Sequence, residues 1–502
     1  MNPTQTIGHF SFITTGRLLE HRVIIKFSNL GSIKETELDL RPLTVIIGPN
    51  NSNKTYIAYS VYGLWHPLRN LDGMLLRDYH EQPAFVKERG NSVSLRITNA
   101  VIKQINEITR EKTDIFRKNL LDFFQDSSGS LFRNTNITLT LPKGEVLNKL
   151  KEQVGPQKLK YYTFDEEFYV PYTLSLEEDI LYIDYEKNGS GERTPIIEAL
   201  LLETKSGNFR IMSIIFEQLF SRPFLLPAER NAFVLTYKLL ANRRYKLMKE
   251  ARRGGRRTEQ TRQLELLKEQ GDILYPQPVE DFWDFLIDLE LTTNGRMESK
   301  QKNEFQLLAD DIEEYIQNKN KTVYVSTPLG GKEIKVNVKR GLTIDLHNAS
   351  SSIKQLAPLL LYLRYRAAEN DLLIIDEPEM GLHPESQAKF LEALAILVNL
   401  GIKVLLTTHS PYFIAHLNNL LNGEMEDERI KKKQASHLYM KDARAFLRED
   451  QVSAYEMQDH KQKGYKLCSL KDDFENFGVR WGSLSDVSAD IQQKFFLISE
   501  EK

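Results

Sequence analysis

The sequence predicts an α/β fold, a mixed or parallel sheet flanked by helices, and three stretches carry that expectation. The apolar run Leu43-Thr-Val-Ile-Ile47 ends in the loop Gly48-Pro49-Asn50-Asn51-Ser52-Asn53-Lys54-Thr55, after which apolar residues recur at helical spacing. A second run, Leu372-Leu-Ile-Ile375, ends in Asp376-Glu377. A third, Val404-Leu-Leu406, leads into Thr407-Thr-His409-Ser410. Apolar runs alternating with helical patterns mark βα units, whose crossovers place helices over a parallel sheet.

Taken in chain order, Val23–Phe27 and Glu35–Leu40 read as short strands about a turn at Asn29–Ser32, a meander feeding the strand at 43–47. Ile57, Ala58, Val61, Tyr62 and Leu64 keep helical spacing, so a helix starts at the loop and its N-terminal dipole favours an anion. Ala100–Phe124 has helical spacing, Asp126–Ser130 is a loop, and Ile137–Leu141 alternates as a strand. Around 229–275 the pattern is helical and basic, broken by Arg252-Arg253-Gly-Gly-Arg256-Arg257, which reads as a helical hairpin with an arginine-rich tip. Strands follow at Thr322–Val325, Ile334–Val338 and Leu342–Leu346, then a helix from Ser351 to about Ala368, the 372–375 strand, a helix over Ser386–Leu400 and the 404–406 strand. The expected partition joins 20–70 and 320–420 into one domain. Between them, 71–319 forms a large, mainly helical insertion with the basic hairpin near 238–268, and 421–502 is a C-terminal extension.

Bulk properties narrow the function classes. The 502 residues carry a formal charge of −2 with 27% charged side chains, so any nucleic-acid footprint has to come from local clustering. The single cysteine, Cys468, excludes an intramolecular disulfide and a multi-cysteine metal site and suits a reducing compartment, the cytoplasm by default. Residues 1–16 lack the pattern of a signal peptide, and no apolar run approaches the roughly 20 residues needed to span a bilayer. No membrane partner is expected.

The loop at 48–55 has the composition of a phosphate cradle: backbone N–H groups curl around phosphates, Lys54 reaches the β- and γ-phosphates of ATP, and Thr55 holds Mg²⁺. Asn53 stands where the usual pattern has glycine, and asparagine is among the few residues that tolerate left-handed backbone. Asp376, at a strand end, is placed to hold the metal, and Glu377 is the candidate general base for the attacking water. Two adjacent buried carboxylates repel unless a cation and a water intervene, which the metal provides. His409 sits where an imidazole can bond the γ-phosphate.

These motifs resemble the ABC-type ATPases of the RecF, SMC and overcoming-lysogenization-defect (OLD) group. The loop, Ile375-Asp-Glu-Pro-Glu379 with Gly381-Leu-His-Pro384, and Thr408-His-Ser410 match that group's style over about residues 20–65 and 340–415. The resemblance implies an ABC-type P-loop ATPase head. It further implies that Ser350, Ser351, Ser352 and Gln355 form a signature segment acting in trans on ATP held by a second subunit, with Ser352 replacing the family's glycine. A homodimer or higher homo-oligomer follows. No sustained heptad pattern supports an SMC-type arm, and 420–502 shows no ordered carboxylate set of an OLD-type nuclease. The chain therefore resembles stand-alone antiphage ATPase subunits, of the PARIS, Septu or retron-associated kind, which work with a separately encoded effector, a nuclease above all.

Three features stay open at this level. Lys238 to Lys268 holds eleven basic and three acidic residues; Arg252, Arg253, Arg256 and Arg257 suit sequence-independent contact with DNA or RNA and equally a solvated face. Arg230, in Leu225-Leu-Pro-Ala-Glu-Arg230, contacts phosphate or pairs with an acid. In the tail, Leu484, Val487 and Ile491 near Phe495-Phe-Leu497 pack on the core or dock the effector, with core packing the favoured reading. The resulting expectation is an ATP-hydrolysing switch in antiviral defence. The alternatives are a RecF-like DNA repair ATPase and an ATP-bound scaffold with little turnover, the latter motivated by Asn53 and Ser352.

Overall fold

In the computed structural model, residues 23–69, 86–89, 92–162, 167–185, 204–237, 275–295, 302–326, 332–338, 341–425, 427–460, 464–470, 479, 482–483, 490–494 and 497 are described. The strands are β1 (Ile24–Leu30), β2 (Ile33–Asp39), β3 (Leu43–Ile47), β4 (Val86–Arg89), β5 (Ser92–Arg96), β6 (Asn136–Thr140), β7 (Gly155–Tyr162), β8 (Glu167–Glu177), β9 (Ile180–Tyr185), β10 (Arg222–Leu226), β11 (Lys321–Ser326), β12 (Lys332–Val338), β13 (Leu342–Asp345), β14 (Asp371–Asp376), β15 (Lys403–Thr408), β16 (Val452–Asp459) and β17 (Tyr465–Ser469). The helices used below are α1 (Lys54–Arg69), α2 (Asn99–Lys118), α3 (Leu120–Phe124), α4 (Lys143–Glu152), α5 (Ser351–Tyr365), α6 (Pro384–Asn399) and α7 (Pro411–Asn422).

The described residues fall into two compact units, one within Met1–Ile25, Asn70–Glu111 and Leu139–Leu219, the other within Lys26–Arg69, Lys112–Thr138 and Phe220–Lys502. The smaller unit carries an antiparallel sheet in the order β4-β5-β9-β8-β7. Its inward positions include Tyr172, Leu174, Leu181 and Ile183, all buried at period two. In that unit Asn106 ties α2 to the chain entering α4, donating from Nδ2 to Leu141 O at 2.9 Å and accepting from Leu141 N–H at 2.8 Å. Strand content therefore accompanies the helices of the intervening segment.

The larger unit is organised on a nine-stranded sheet, β10-β14-β15-β3-β16-β17-β2-β1-β6. Five neighbours, β10, β14, β15, β3 and β16, run parallel. β3 and β14 are buried at every position and β15 at all but its first, Lys403, as expected of strands covered on both faces. Aliphatic residues of α1, α5, α6 and α7, among them Val61, Leu360, Leu394 and Leu417, complete the core.

Two connections differ from the sequence expectation. The loop strand β3 does not pair with β2; β16 and β17 lie between them, so the expected meander is opened by strands from the C-terminal segment. β10, within the span read as insertion, is the outer parallel neighbour of β14. The main sheet thus draws strands from all three sequence regions. The helical run expected over 100–124 breaks at Asn119 into α2 and α3, and Gln125 ends it in left-handed geometry. In the tail, Ile491 and Leu497 are exposed, at 62% and 53%, against the expectation of core packing; Leu484, Val487, Phe495 and Phe496 lie outside the described residues. Among the described residues no helix is long and apolar enough to cross a membrane.

Candidate functional site

The loop leaves the end of β3 in conformations that select its residues. Gly48 has φ +149°, and a Cβ there would fall 2.8 Å from Met457 Cβ on β16, so a side chain is excluded. Asn51 and Asn53 adopt left-handed backbone, φ +61° and +67°, the conformation that asparagine bears better than most residues. Asn53 Nδ2 also donates to Ser32 Oγ. Ser52 Oγ is buried without a hydrogen-bond partner among the described residues, a donor that a bound phosphate oxygen would satisfy. The first N–H groups of α1 follow immediately, adding the helix-terminal preference for an anion.

Lys54 is the hub. Its Nζ donates to Gly48 O at 3.1 Å and Pro49 O at 2.9 Å and lies 2.9 Å from His409 Nε2. Burial pushes the ammonium pKa down, opposed by Glu377, Asp376 and Glu379. Thr55 Oγ1 donates to Asp376 Oδ2 at 3.0 Å, and Thr407 Oγ1 donates to Oδ1 of the same carboxylate. Parallel pairing of β14 and β15 sets Asp376 opposite Thr407. Asp376 is only 3% exposed; burial raises its pKa, and the two threonine hydrogen bonds act the other way.

Glu377 leaves the strand with φ +48°, a left-handed conformation costing an L-residue about 1–2 kcal/mol. Its N–H donates to Thr407 O at 3.1 Å. Its Oε1 lies 3.4 Å from His409 Nε2, and His409 holds the Glu377 carboxyl below the ordinary range against the effect of burial. The His409 backbone is fixed in turn, its N–H donating to Glu379 Oε1 at 2.6 Å. One ring nitrogen thus faces a cation and a carboxylate. The two demands are exclusive, because accepting from Lys54 needs a bare Nε2 and donating to Glu377 needs a protonated one.

The structure therefore brings Lys54, Thr55, Asp376, Glu377 and His409 together at the ends of β3, β14 and β15. The serines lie at the start of α5, where Ser350 caps the helix by accepting from Ile353 N–H at 3.4 Å and pairs with Ser352 through hydroxyls 3.0 Å apart. Ser350 and Ser351 are exposed, and the Gly381 turn packs close by, its Cβ position 3.5 Å from Ser351 Cβ. Gln355 departs from the expected outward role: it is 2% exposed, with Nε2 toward Ala228 O at 3.5 Å. One helical turn past the serines, it faces the core. Arg252, Arg253, Arg256 and Arg257 lie outside the described residues.

Arg230 meets neither alternative raised by its sequence. It is 2% exposed, and its hydrogen bonds in the described residues all run to backbone carbonyls. Nη1 donates to Pro227 O at 3.0 Å and Asp376 O at 2.9 Å, Nη2 to Glu377 O at 3.2 Å and Pro378 O at 3.4 Å, and Nε to Gln355 O at 3.2 Å. Burial lowers its pKa to about 10, with Asp376, Glu379, Glu377 and Glu229 opposing. The only sequence signal for this role is an arginine four residues beyond an apolar strand.

A protein-family profile described as “AAA domain, putative AbiEii toxin, Type IV TA system” matches residues 178–415. That span contains Arg230, the 350–355 segment, Asp376, Glu377 and His409 and begins beyond the loop at 48–55. A “Putative ABC transporter ATP-binding protein” from Methanosarcina acetivorans is 30% identical over 120 residues, 21% of this chain. The match spans 36% of that relative's length. Similar solved structures include the SMC head domain from Thermotoga maritima, at 10% identity and TM-score 0.30, covering 90% of this chain and 99% of that one. Another is an Smc head domain with an extended coiled coil bound to the C-terminal domain of ScpA derived from Pyrococcus furiosus, at 10% identity and TM-score 0.32, covering 93% and 98%. The loop and carboxylate geometry and the profile match agree on a P-loop nucleotide-binding fold built on the nine-stranded sheet.

Proposed function

We propose that the chain binds MgATP at the 48–55 loop and hydrolyses it, and that ATP joins two copies head to head into a switch controlling a separately encoded effector, a nuclease, in antiphage defence. The observation that carries the hydrolysis reading is the set of contacts at the strand ends, Lys54 with His409 and His409 with Glu377 on one side and Thr55 with Asp376 on the other. Thr55 Oγ1 and Asp376 Oδ2 are hard oxygen donors 3.0 Å apart, the type of ligand Mg²⁺ takes alongside water and phosphate. When bound, the ion neutralises charge shared by the β- and γ-phosphate oxygens.

The protein's own groups supply the remaining work. Lys54 exchanges the Gly48 and Pro49 carbonyls and His409 for phosphate oxygens. That exchange frees His409 Nε2 to carry a proton and to donate to Glu377 or the γ-phosphate. Glu377, its carboxyl held low, is ionised at neutral pH and accepts a proton from the attacking water. Exposed Ser350 and Ser351 are available to a second copy's nucleotide. The defence setting rests on the resemblance to antiphage ATPase subunits and on the matched profile's description as “putative AbiEii toxin, Type IV TA system”.

Phosphate release by the purified chain with MgATP, alone and with DNA or RNA added, tests the reading. Glu377→Gln is expected to lower kcat by about 10²–10⁴ while keeping ATP binding, and dimers then accumulate in sedimentation with ATP. Normal turnover in that variant removes Glu377 as the base. No phosphate release from wild-type protein under any of these conditions replaces the switch with an ATP-bound scaffold.

A further inference from the structure

We infer that Arg230 is a positioning residue that fastens the helix carrying the signature serines to the backbone of the candidate general base, so that Glu377 is presented only in register with that helix. The inference rests on the hydrolysis reading above and adds to it a residue and a route of coupling.

A guanidinium has five N–H donors in a rigid planar fork, and here the five distances run to five carbonyls from three separate segments. Pro227 belongs to the turn after β10. Gln355 lies in the second turn of α5, two residues beyond Ile353, whose N–H is capped by Ser350. Asp376, Glu377 and Pro378 form the consecutive stretch in which the chain leaves β14 and Glu377 turns left-handed. Strained backbone of this kind persists only where its surroundings over-determine it. Arg230 grips the carbonyls on both sides of the Glu377 residue and its own, while the Glu377 N–H is held from β15 by Thr407.

None of its hydrogen bonds among the described residues reaches a carboxylate, and burial depresses its pKa although the nearby Asp376, Glu379, Glu377 and Glu229 oppose that shift. A group retained at such cost for contacts to backbone, and not to a carboxylate, fixes chain geometry. The Nε bond to Gln355 O is the link to α5, and because the fork is planar, a shift of α5 relative to β14 either breaks that bond or pulls the guanidinium out of line with the 376–378 carbonyls. The serines at the tip of α5 and the carboxylate that activates water are therefore tied through one side chain.

Arg230→Lys tests this. An ammonium offers three donors and no planar fork, so kcat is expected to fall at least tenfold while KM and the Kd for a fluorescent ATP analogue stay within threefold of wild type. An unchanged kcat, or a loss confined to KM, overturns the inference. If the variant does not fold, hydrogen exchange on the wild-type protein decides. The amides of Ile353 and Lys354 and that of Glu377 are expected to change protection with the same ATP midpoint, and distinct midpoints overturn it. Wild-type protein that releases no phosphate refutes the hydrolysis reading and not the coupling, which the exchange measurement still judges.

Discussion

Asn53 offers the sharpest quantitative check on the loop. It stands at φ +67° with Nδ2 bonded to Ser32 Oγ, at the position where glycine is usual. Asn53→Ala keeps a Cβ but loses the side-chain hydrogen bond and asparagine's tolerance of left-handed backbone. The conformational cost is about 1 kcal/mol or somewhat more, and the hydrogen bond, at an exposed position, contributes about 0.5–1 kcal/mol. The sum, about 1.5–2 kcal/mol, divides between two observables. If the nucleotide-free loop holds its shape, the loss is read as lower unfolding free energy. If the nucleotide-free loop relaxes, it is read as weaker nucleotide affinity, up to about 10–30-fold in Kd. Chemical denaturation without nucleotide and titration with a fluorescent ATP analogue measure both parts. Asn53→Gly restores the backbone freedom and loses only the hydrogen bond, so its summed effect stays below about 1 kcal/mol. An alanine variant whose combined change is under about 0.5 kcal/mol refutes the account of why asparagine occupies this position.

Two other perturbations follow from the same unit. Gly63→Ala gains about 1 kcal/mol of helix propensity, yet its Cβ would lie 2.4 Å from Phe116 Cε2 and 2.6 Å from Phe123 Cε2, two buried rings already packed edge to face at 5.1 Å. Overpacking of about 1–3 kcal/mol wins; a lower denaturation midpoint is expected, partly restored by adding Phe116→Leu, and a stabilised G63A refutes it. Asp376→Asn probes the buried carboxylate. Its pKa is raised in the folded state, so the native protein binds that proton more tightly than the unfolded chain, and stability falls as pH climbs from the ordinary carboxylate range through the raised value. The nucleotide-free variant should therefore have a Tm at or above wild type at neutral pH. It should also lose most of the stabilisation by MgATP, which for wild type is about 2.7 kcal/mol at a hundredfold excess over Kd. A lower Tm with MgATP stabilisation intact contradicts both assignments.

The parts of the fold legible in sequence were those whose burial leaves no polar option. β3, β14 and β15 are covered on both faces, so they read as continuous apolar runs, and the loop and carboxylates at their ends could be placed from that alone. β16 is buried too but gives no such run, because its polar residues are satisfied inside. Ser453 Oγ donates to Asp39 O, and Glu456 accepts from Ser483 N–H and Gln458 Nε2. Partners far apart in sequence cannot be read from local pattern. Arg230 was obscure for a related reason: backbone carbonyls carry no side-chain signature. Asn53 was legible because φ restricts residue type locally, whereas the inward turn of Gln355 is decided by packing against the 227–230 turn.

The position of β16 beside β3 also has a consequence for how the protein is made. Ser453 and Thr44, 409 positions apart in the chain, hydrogen-bond at 3.0 Å across these two strands. A ribosome adding 5–20 residues per second needs about 20–80 s to pass between them. Throughout that interval the strand that feeds the phosphate loop has an unpaired edge, a ready template for pairing with another chain. The loop's residues are thus synthesised about 400 positions ahead of Met457, the wall that excludes a side chain at Gly48. Nucleotide can find a finished cradle only after β16 has emerged and paired with β3.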